Sequence, residues 1–326
     1  MNFEESAAAR GPEGIGARAD SFASSVGDSE SGGATGAELG ARGGLFRVMG
    51  IINVTPDSFS DGGLYLDPAA AVAHALELER QGAAILDLGG ESTRPGSEPV
   101  PAAEELRRVL PVIEELVAAG VGAQISIDTS KAVVAEAAIG AGATLVNDVT
   151  AFRADPAMAS LVAASGADCC LMHMLGEPRT MQDDPRYGDV VSEVKAFLEE
   201  RLAFAISAGV EEERILVDPG IGFGKTPGHN LELINRLGEL VALGRPVVVG
   251  TSRKSFLGRL TGRGPDELLA ATVATNVLAY ERGAAIFRVH DVGPVHDALA
   301  VTAATVRAGC RRSTTTRTSS TTSTTA

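Results

Sequence analysis

The chain contains no tryptophan, and aromatic residues make up only 4% of its 326 positions. A core drawn from such a sequence is aliphatic, built from Ala, Val, Leu and Ile, and suited to close packing of helices on strands. Cysteine is scarce as well. Cys169, Cys170 and Cys310 have neither metal-site nor disulfide spacing. No apolar run approaches the ~18 residues that a membrane helix needs. Glu4 and Glu5 stand where a secretory signal would carry its basic region, and no apolar run follows them. These absences point to the cytoplasm and away from the membrane. Positive charge is in the minority, with 28 Lys and Arg against 42 Asp and Glu and a formal net charge of −14. A field of that sign repels a polyanion, which excludes nucleic acid as a main partner. It leaves room for a small phosphate ester held by a few local cations.

Hydrophobic residues, at 44% of the chain, suffice for a sizeable core. They are unevenly spread. Residues 1–44 are rich in Gly, Ala, Ser and Glu without apolar periodicity, and residues 311–326 form a Ser/Thr tract with Arg311, Arg312 and Arg317. Both ends are expected to be disordered, since little in them could be buried to offset the entropy of ordering. The stretch between, 45–310, is close to the ~250 residues of a single β/α barrel.

That stretch alternates. Short β-rich apolar runs fall near 45–54, 83–90, 123–129, 144–149, 168–174, 215–220, 247–252 and 285–291, each followed by a helix-patterned segment. Leu106, Leu110, Ile113 and Val117 keep helical spacing, as do Val191, Val194, Leu198 and Leu202. Asp67-Pro68 and Asp155-Pro156 read as an N-cap followed by proline at the first helical position. The apolar runs are nearly continuous, as parallel strands covered on both faces require. Eight β–α pairs in one domain's length predict an α/β fold, a single closed (β/α)8 TIM barrel, over an open doubly wound sheet. Each run also ends, on its C-terminal side, in polar residues, and in a barrel those ends meet on one face. Polar groups serving structure alone would be scattered over both ends.

The motifs at those ends carry the chemistry. NVTPDSFSDGG begins with Asn53, whose neutral oxygen suits either a hard cation sharing phosphate oxygens or a turn. Its long Gly-rich continuation reads as a closing loop, with Phe59 as an apolar wall for a flat ligand. In DLGGESTRPG, Thr93 offers a hydroxyl. Arg94 offers a fixed fork for an anion, or else pairs with Glu91 or Asp61. SIDTSK and LVNDVT place Asp128 and Asn147 at the ends of apolar strands, where a carboxylate needs donors. Asp148 is read as bonded to backbone. CLMHM holds His173, either a ligand or a satisfied core residue, and Met172, a soft contact under a planar ring. DPGIGFGK fails the spacing of a phosphate loop, because Pro219 stands where its first glycine belongs. Its glycines instead let backbone pass close to a ligand, with Asp218 facing donors and Phe223 offering a stacking face. GTSRKS presents Ser252 and Lys254, the lysine being a Schiff-base former, an anion binder or a donor to a carbonyl. FRVHDV puts Arg288 and His290 on one strand face, a compact cationic pocket for a diphosphate.

Taken together, MGIINVTPDSFSDGG, DLGGESTRPGS, SIDT, NDV, MHM, DPGIGFGK, SRKS and RVHD resemble, in order and over residues 45–310, the dihydropteroate synthase family of pterin-binding enzymes. The resemblance implies an enzyme that joins a pterin diphosphate to p-aminobenzoate in folate synthesis, with Mg2+ as cofactor. By position, Asn53 matches the metal ligand. Asp128, Asn147, Asp218 and Lys254 match the residues holding the pterin, with Asp128 and Lys254 given the catalytic roles. Met172 and Phe223 would flank the ring. Thr93, Arg94, Arg288 and His290 match contacts at or near the diphosphate, and Phe59 with Ser252 matches the p-aminobenzoate pocket that sulfonamides imitate. A homodimer is implied as well. The departures are the two long ends and Leu175, where a polar residue is common. Rival readings are an aldolase using Lys254, a pterin-dependent methyltransferase barrel, and a non-catalytic pterin-binding paralogue.

Overall fold

The fold, a computed structural model, describes residues 46–55, 68–92 and 97–313. Strands β1 (Arg47–Asn53), β2 (Ala83–Gly89), β3 (Gln124–Asp128), β4 (Leu145–Asp148), β5 (Asp168–Met172), β6 (Ile215–Asp218), β7 (Val248–Val249) and β8 (Ile286–Val289) are all parallel and follow the expected runs. Their order around the sheet is β6-β5-β4-β3-β2-β1-β8-β7. A parallel bridge between Val217 and Val247 joins β6 to the start of β7 and completes the (β/α)8 barrel. Between and after the strands run α1 (Pro68–Arg80), α2 (Ala102–Ala118), α3 (Ala132–Ala141), α4 (Met158–Ser165), α5 (Val190–Ser207), α6 (Pro227–Asn235), α7 (Gly238–Val241), α8 (Ser255–Thr261), α9 (Leu269–Glu281) and α10 (Val292–Ser313). The ends expected to be disordered lie outside the described residues, except that the backbone of α10 runs three residues past 310, to Ser313.

Local chemistry accounts for the helix starts. Asp189 accepts from the Ser192 amide at 2.7 Å ahead of α5. Thr226 and His229 close a capping box ahead of α6, with Pro227 at its first position. Helix α1 begins at Pro68 as expected, while its Asp67 lies outside the described residues. Asp155 behaves differently from expectation. Helix α4 starts only at Met158, and Asp155 accepts from the Ala157 amide with one oxygen and from Ala132, at the start of α3, with the other. The carboxylate ties two helices together where the sequence suggested one cap.

The valines and leucines expected of α5 are all buried. In α2 the buried stripe is Glu105, Val109, Val112, Ile113 and Leu116, and Val117 is exposed. The spacing was right but the phase was off by one residue. A buried glutamate on the inner face caused it, and an apolar count cannot see that. Outside the sheet, one continuous cluster joins strands to helices. Inside it, Met49, Ile85, Leu145, Cys170, Leu216, Val248 and Ile286, each from a different strand, form a separate apolar layer. Burying each such side chain contributes about 1.5–3 kcal/mol. Below this plug, Arg47 donates to Gln124 and Gln124 to Asp168. Above it, two residues along β2, β4, β6 and β8, the inward positions turn polar.

Candidate active site

Counting upward by twos from the apolar layer gives the side chains that face the barrel mouth. Met49 leads to Ile51 and Asn53, Ile85 to Asp87, and Leu145 to Asn147. Cys170 leads to Met172, Leu216 to Asp218, and Ile286 to Arg288 and His290. A cavity of about 650 Å³ opens there. Asn53, Asp128, Asn147, Met172, Asp218, Phe223, Ser252, Lys254, Arg288 and His290 all line it, so ten of the thirteen residues singled out in the sequence meet at one place. The other three, Phe59, Thr93 and Arg94, lie outside the described residues.

The electrostatics of the floor are set by one guanidinium shared between two carboxylates. Arg288 donates through Nε to Asp87 at 2.6 Å and through Nη2 to Asp128 at 2.7 Å. Burial pushes the Asp128 carboxyl up to about 7 against the pull of Arg288, with the charge of Asp87 adding to the rise. His290 is driven down to about 3, first by burial and then by Arg288, so its ring is neutral. Its Nδ1 lies 3.1 Å from Ser252 Oγ, which also accepts from the His290 amide. The expected cationic pair is therefore corrected. Arg288 is largely neutralised from within the barrel, and His290 brings a hydrogen-bonding ring and no charge.

Asp218 accepts from the Gly220 amide at 2.6 Å, and burial raises its carboxyl above the usual range. Lys254 sets its ammonium 4.0 Å above the Phe223 ring, a cation–π contact at the cavity edge. Val149, Met172, Met174, Met181 and Phe223 form an apolar wall beside it. Asp148 accepts from the amides of Thr150 and Phe152 and from the Thr150 hydroxyl, the structural role expected of it.

His173 does not line the cavity. It is buried between Phe197 and Tyr187, and its Nδ1 lies 2.9 Å from Lys225 Nζ. Of the two roles left open, the core role is the one observed. Lys225 is only 2% exposed, and its ammonium also donates to the carbonyls of Phe223 and His173. This clip joins the loop after β6 to the end of β5, behind the apolar wall. Burial lowers the ammonium to about 7. A lysine whose folded value lies below its unfolded one makes the protein gain stability as pH rises from about 7 toward 10. Lys225→Met removes that gain and strands the acceptors. The variant is expected to be less stable by about 2 kcal/mol at pH 9 and by less at pH 7, measured by urea denaturation. A gap that narrows as pH rises refutes this account.

Sequence reasoning missed Asp87, Lys225 and Arg253. Asp87 interrupts an apolar run at the inward parity of Ile85, a signal that was readable. Lys225 closes DPGIGFGK, where the expected roles fall on Asp218, Phe223 and the glycines. Arg253 lines the cavity with a left-handed backbone (φ 56°) and pairs with Asp291 at 2.7 Å. Such strain in a non-glycine residue clusters at functional sites.

Known proteins share this arrangement of strands and motifs. The family described as pterin binding enzyme matches residues 49–290. The dihydropteroate synthase of Mycobacterium leprae is 49% identical over 270 residues, covering 81% of this chain and 94% of that protein. The chain belongs to the dihydropteroate synthase family. Solved members of that family superpose closely. The Xanthomonas albilineans dihydropteroate synthase with 4-aminobenzoic acid is 50% identical, with a TM-score of 0.76 over 80% of this chain and 93% of its own. The same bacterium's enzyme in complex with 7,8-dihydropteroate gives 48% identity and a TM-score of 0.73, over 80% and 94% of the two chains.

Proposed function

We propose that this chain is a transferase that condenses 6-hydroxymethyl-7,8-dihydropterin diphosphate with p-aminobenzoate, releasing diphosphate and forming 7,8-dihydropteroate. The observation that carries the reading is convergence. Carboxylates, two amides, a lysine and an arginine from six strand ends meet in one cavity with an apolar wall on one side. That mixture suits a flat heterocycle with donors on one edge and an anionic leaving group at the other end. An aldolase would need Lys254 alone, and a methyltransferase barrel would need no diphosphate site.

In the reaction, the bond between the pterin methylene carbon and the diphosphate oxygen breaks. A bond from that carbon to the amine nitrogen forms, and the amine gives up a proton. Asp128 and Asp218 accept from the pterin's amino group and ring N–H. Phe223 and Met172 hold its faces, and Lys254 donates to its carbonyl oxygen. As the diphosphate leaves, positive charge spreads into the ring, and the Asp128 carboxylate stabilises it in a site largely closed to water. Arg288 and the neutral His290 donate to the departing oxygens. Ser252, bonded to His290, belongs to the pocket that receives p-aminobenzoate.

Among the described residues no cluster of three His, Cys, Asp or Glu could cage a metal. One amide oxygen from Asn53 at the cavity edge fits Mg2+ of the kind that keeps its waters and takes substrate phosphates as ligands. When bound there, it would neutralise charge on the diphosphate. The reading extends to a homodimer working in the cytoplasm, supported by the family resemblance.

The test is direct. Incubated with the pterin diphosphate, p-aminobenzoate and Mg2+, the protein is expected to release diphosphate and form 7,8-dihydropteroate in equal amounts. Chelation by EDTA is expected to stop both until Mg2+ is restored. Absence of product with intact substrates and folded protein rules the reading out.

A further inference from the structure

Asp87 sits in the middle of β2, fully buried, one layer beneath the cavity floor. Its Oδ1 accepts from Ser126 Oγ at 2.6 Å. Its Oδ2 accepts from Arg288 Nε at 2.6 Å and from Asn147 Nδ2 at 3.1 Å. The donors come from β3, β8 and β4, and two of them belong to the cavity.

Two consequences follow for what the cavity presents. Asn147 donates its amide nitrogen to Asp87, so its carbonyl oxygen is left for the cavity. Asn147 thereby reads a donor on its ligand. Arg288, for its part, gives its Nε–H and one Nη2–H to the two carboxylates, which leaves the Nη1 pair and the second Nη2–H for a ligand. The guanidinium is also shared. Asp128 is faced by Arg288 from β8, Asp87 from β2, Glu105 from α2 and Asp148 from β4, and of these Arg288 alone favours its ionised form.

We propose that Asp87 is a positioning residue for the condensation, turning Asn147 and Arg288 toward the pterin diphosphate and drawing on the guanidinium that Asp128 would otherwise hold alone. The inference rests on the synthase reading above. It differs from a purely structural role, in which Asp87 would merely offset the charge of a buried arginine.

Asp87→Asn keeps the shape and removes the charge. In the folded variant, kcat is expected to fall about 10- to 100-fold, because a displaced contact at the reacting centre costs that much. The KM for p-aminobenzoate is expected to stay within about threefold, since among the described residues Asp87 bonds Ser126, Asn147 and Arg288 and not Ser252. The decisive readout is kcat on the pH plateau, and a second is the acidic limb of kcat/KM for the pterin diphosphate, which reports groups of the free enzyme. With Arg288 left to Asp128 alone, that limb is expected to move down by about one pH unit. Loss of the Asp87 charge moves the limb in either case, whereas a purely structural role would leave kcat on the pH plateau of the folded variant unchanged. A folded Asp87→Asn with wild-type kcat on that plateau overturns the proposal. Should that variant fail to fold, Ser126→Ala decides. It removes one donor to Asp87 without touching the cavity, and is expected to lower kcat about fivefold. Wild-type turnover in Ser126→Ala then overturns the proposal. A wild-type protein that forms no dihydropteroate would instead refute the synthase reading on which it rests.

Discussion

Asp128→Asn is expected to lower kcat/KM by about 10²–10³, the usual loss when one preorganised electrostatic group is taken from an active site, with little loss of stability. The two halves have separate causes. Turnover falls because an amide cannot offset the positive charge that builds on the pterin as diphosphate departs. Stability holds because the native carboxylate is costly where it stands. Asp128 is only 9% exposed, and burial lifts it to about 7 in spite of Arg288. A carboxyl raised above its unfolded value weakens the fold as pH climbs from about 4 to 7, so its replacement by a neutral isostere forfeits nothing there. Arg288 keeps Asp87 as a partner at 2.6 Å. The same shift predicts a pH profile. Wild-type kcat/KM is expected to fall tenfold per pH unit below about pH 7, and Asp128→Asn is expected to lack that limb. Turnover within tenfold of wild type in the variant, at matched folding by circular dichroism, would remove Asp128 from the mechanism.

Gly220→Ala is expected to cost about 3–5 kcal/mol, a drop of roughly 10 °C in Tm for a domain of this size, together with most of the activity. The backbone at Gly220 has φ 66°, and a Cβ there would lie 1.9 Å from the carbonyl oxygen of His173. That oxygen belongs to backbone, so no side chain can swing aside. The loop after β6 would have to lift, breaking the bond from the Gly220 amide to Asp218 and shifting Phe223 with it. Gly120 is the control. It has a similar φ of 71°, but a Cβ there meets nothing within 4 Å. Gly120→Ala should cost only the left-handed backbone term, about 1–2 kcal/mol. Equal melting points for the two variants would mean that the close approach at His173 carries no weight.

Both predictions depend on features read with unequal ease. DPGIGFGK fails the spacing of a phosphate loop, and its glycines are expected to let backbone pass close to a ligand; at Gly220 the close neighbour is the backbone carbonyl of His173. Asp128 announced itself as a carboxylate ending an apolar strand. The shared guanidinium was not readable, since Arg288 and Asp87 are 201 positions apart and meet only because β1 joins β2 to β8. The phase of α2 was missed for a related reason. Glu105 is buried against Lys131, an ion pair between helices that periodicity cannot register.

By itself, then, the order of residues determined the strands, their parallel course, the barrel and the rim at which the polar tips gather. All of these follow from eight nearly continuous apolar runs, each followed by a segment of helical period, along a single stretch of chain. Tertiary structure alone decided which of those tips carry charge. Proton affinity depends on burial and on neighbours brought from distant strands, so a neutral His290, a half-spent Arg288 and a carboxyl at Asp128 poised near neutrality exist only once the barrel has closed.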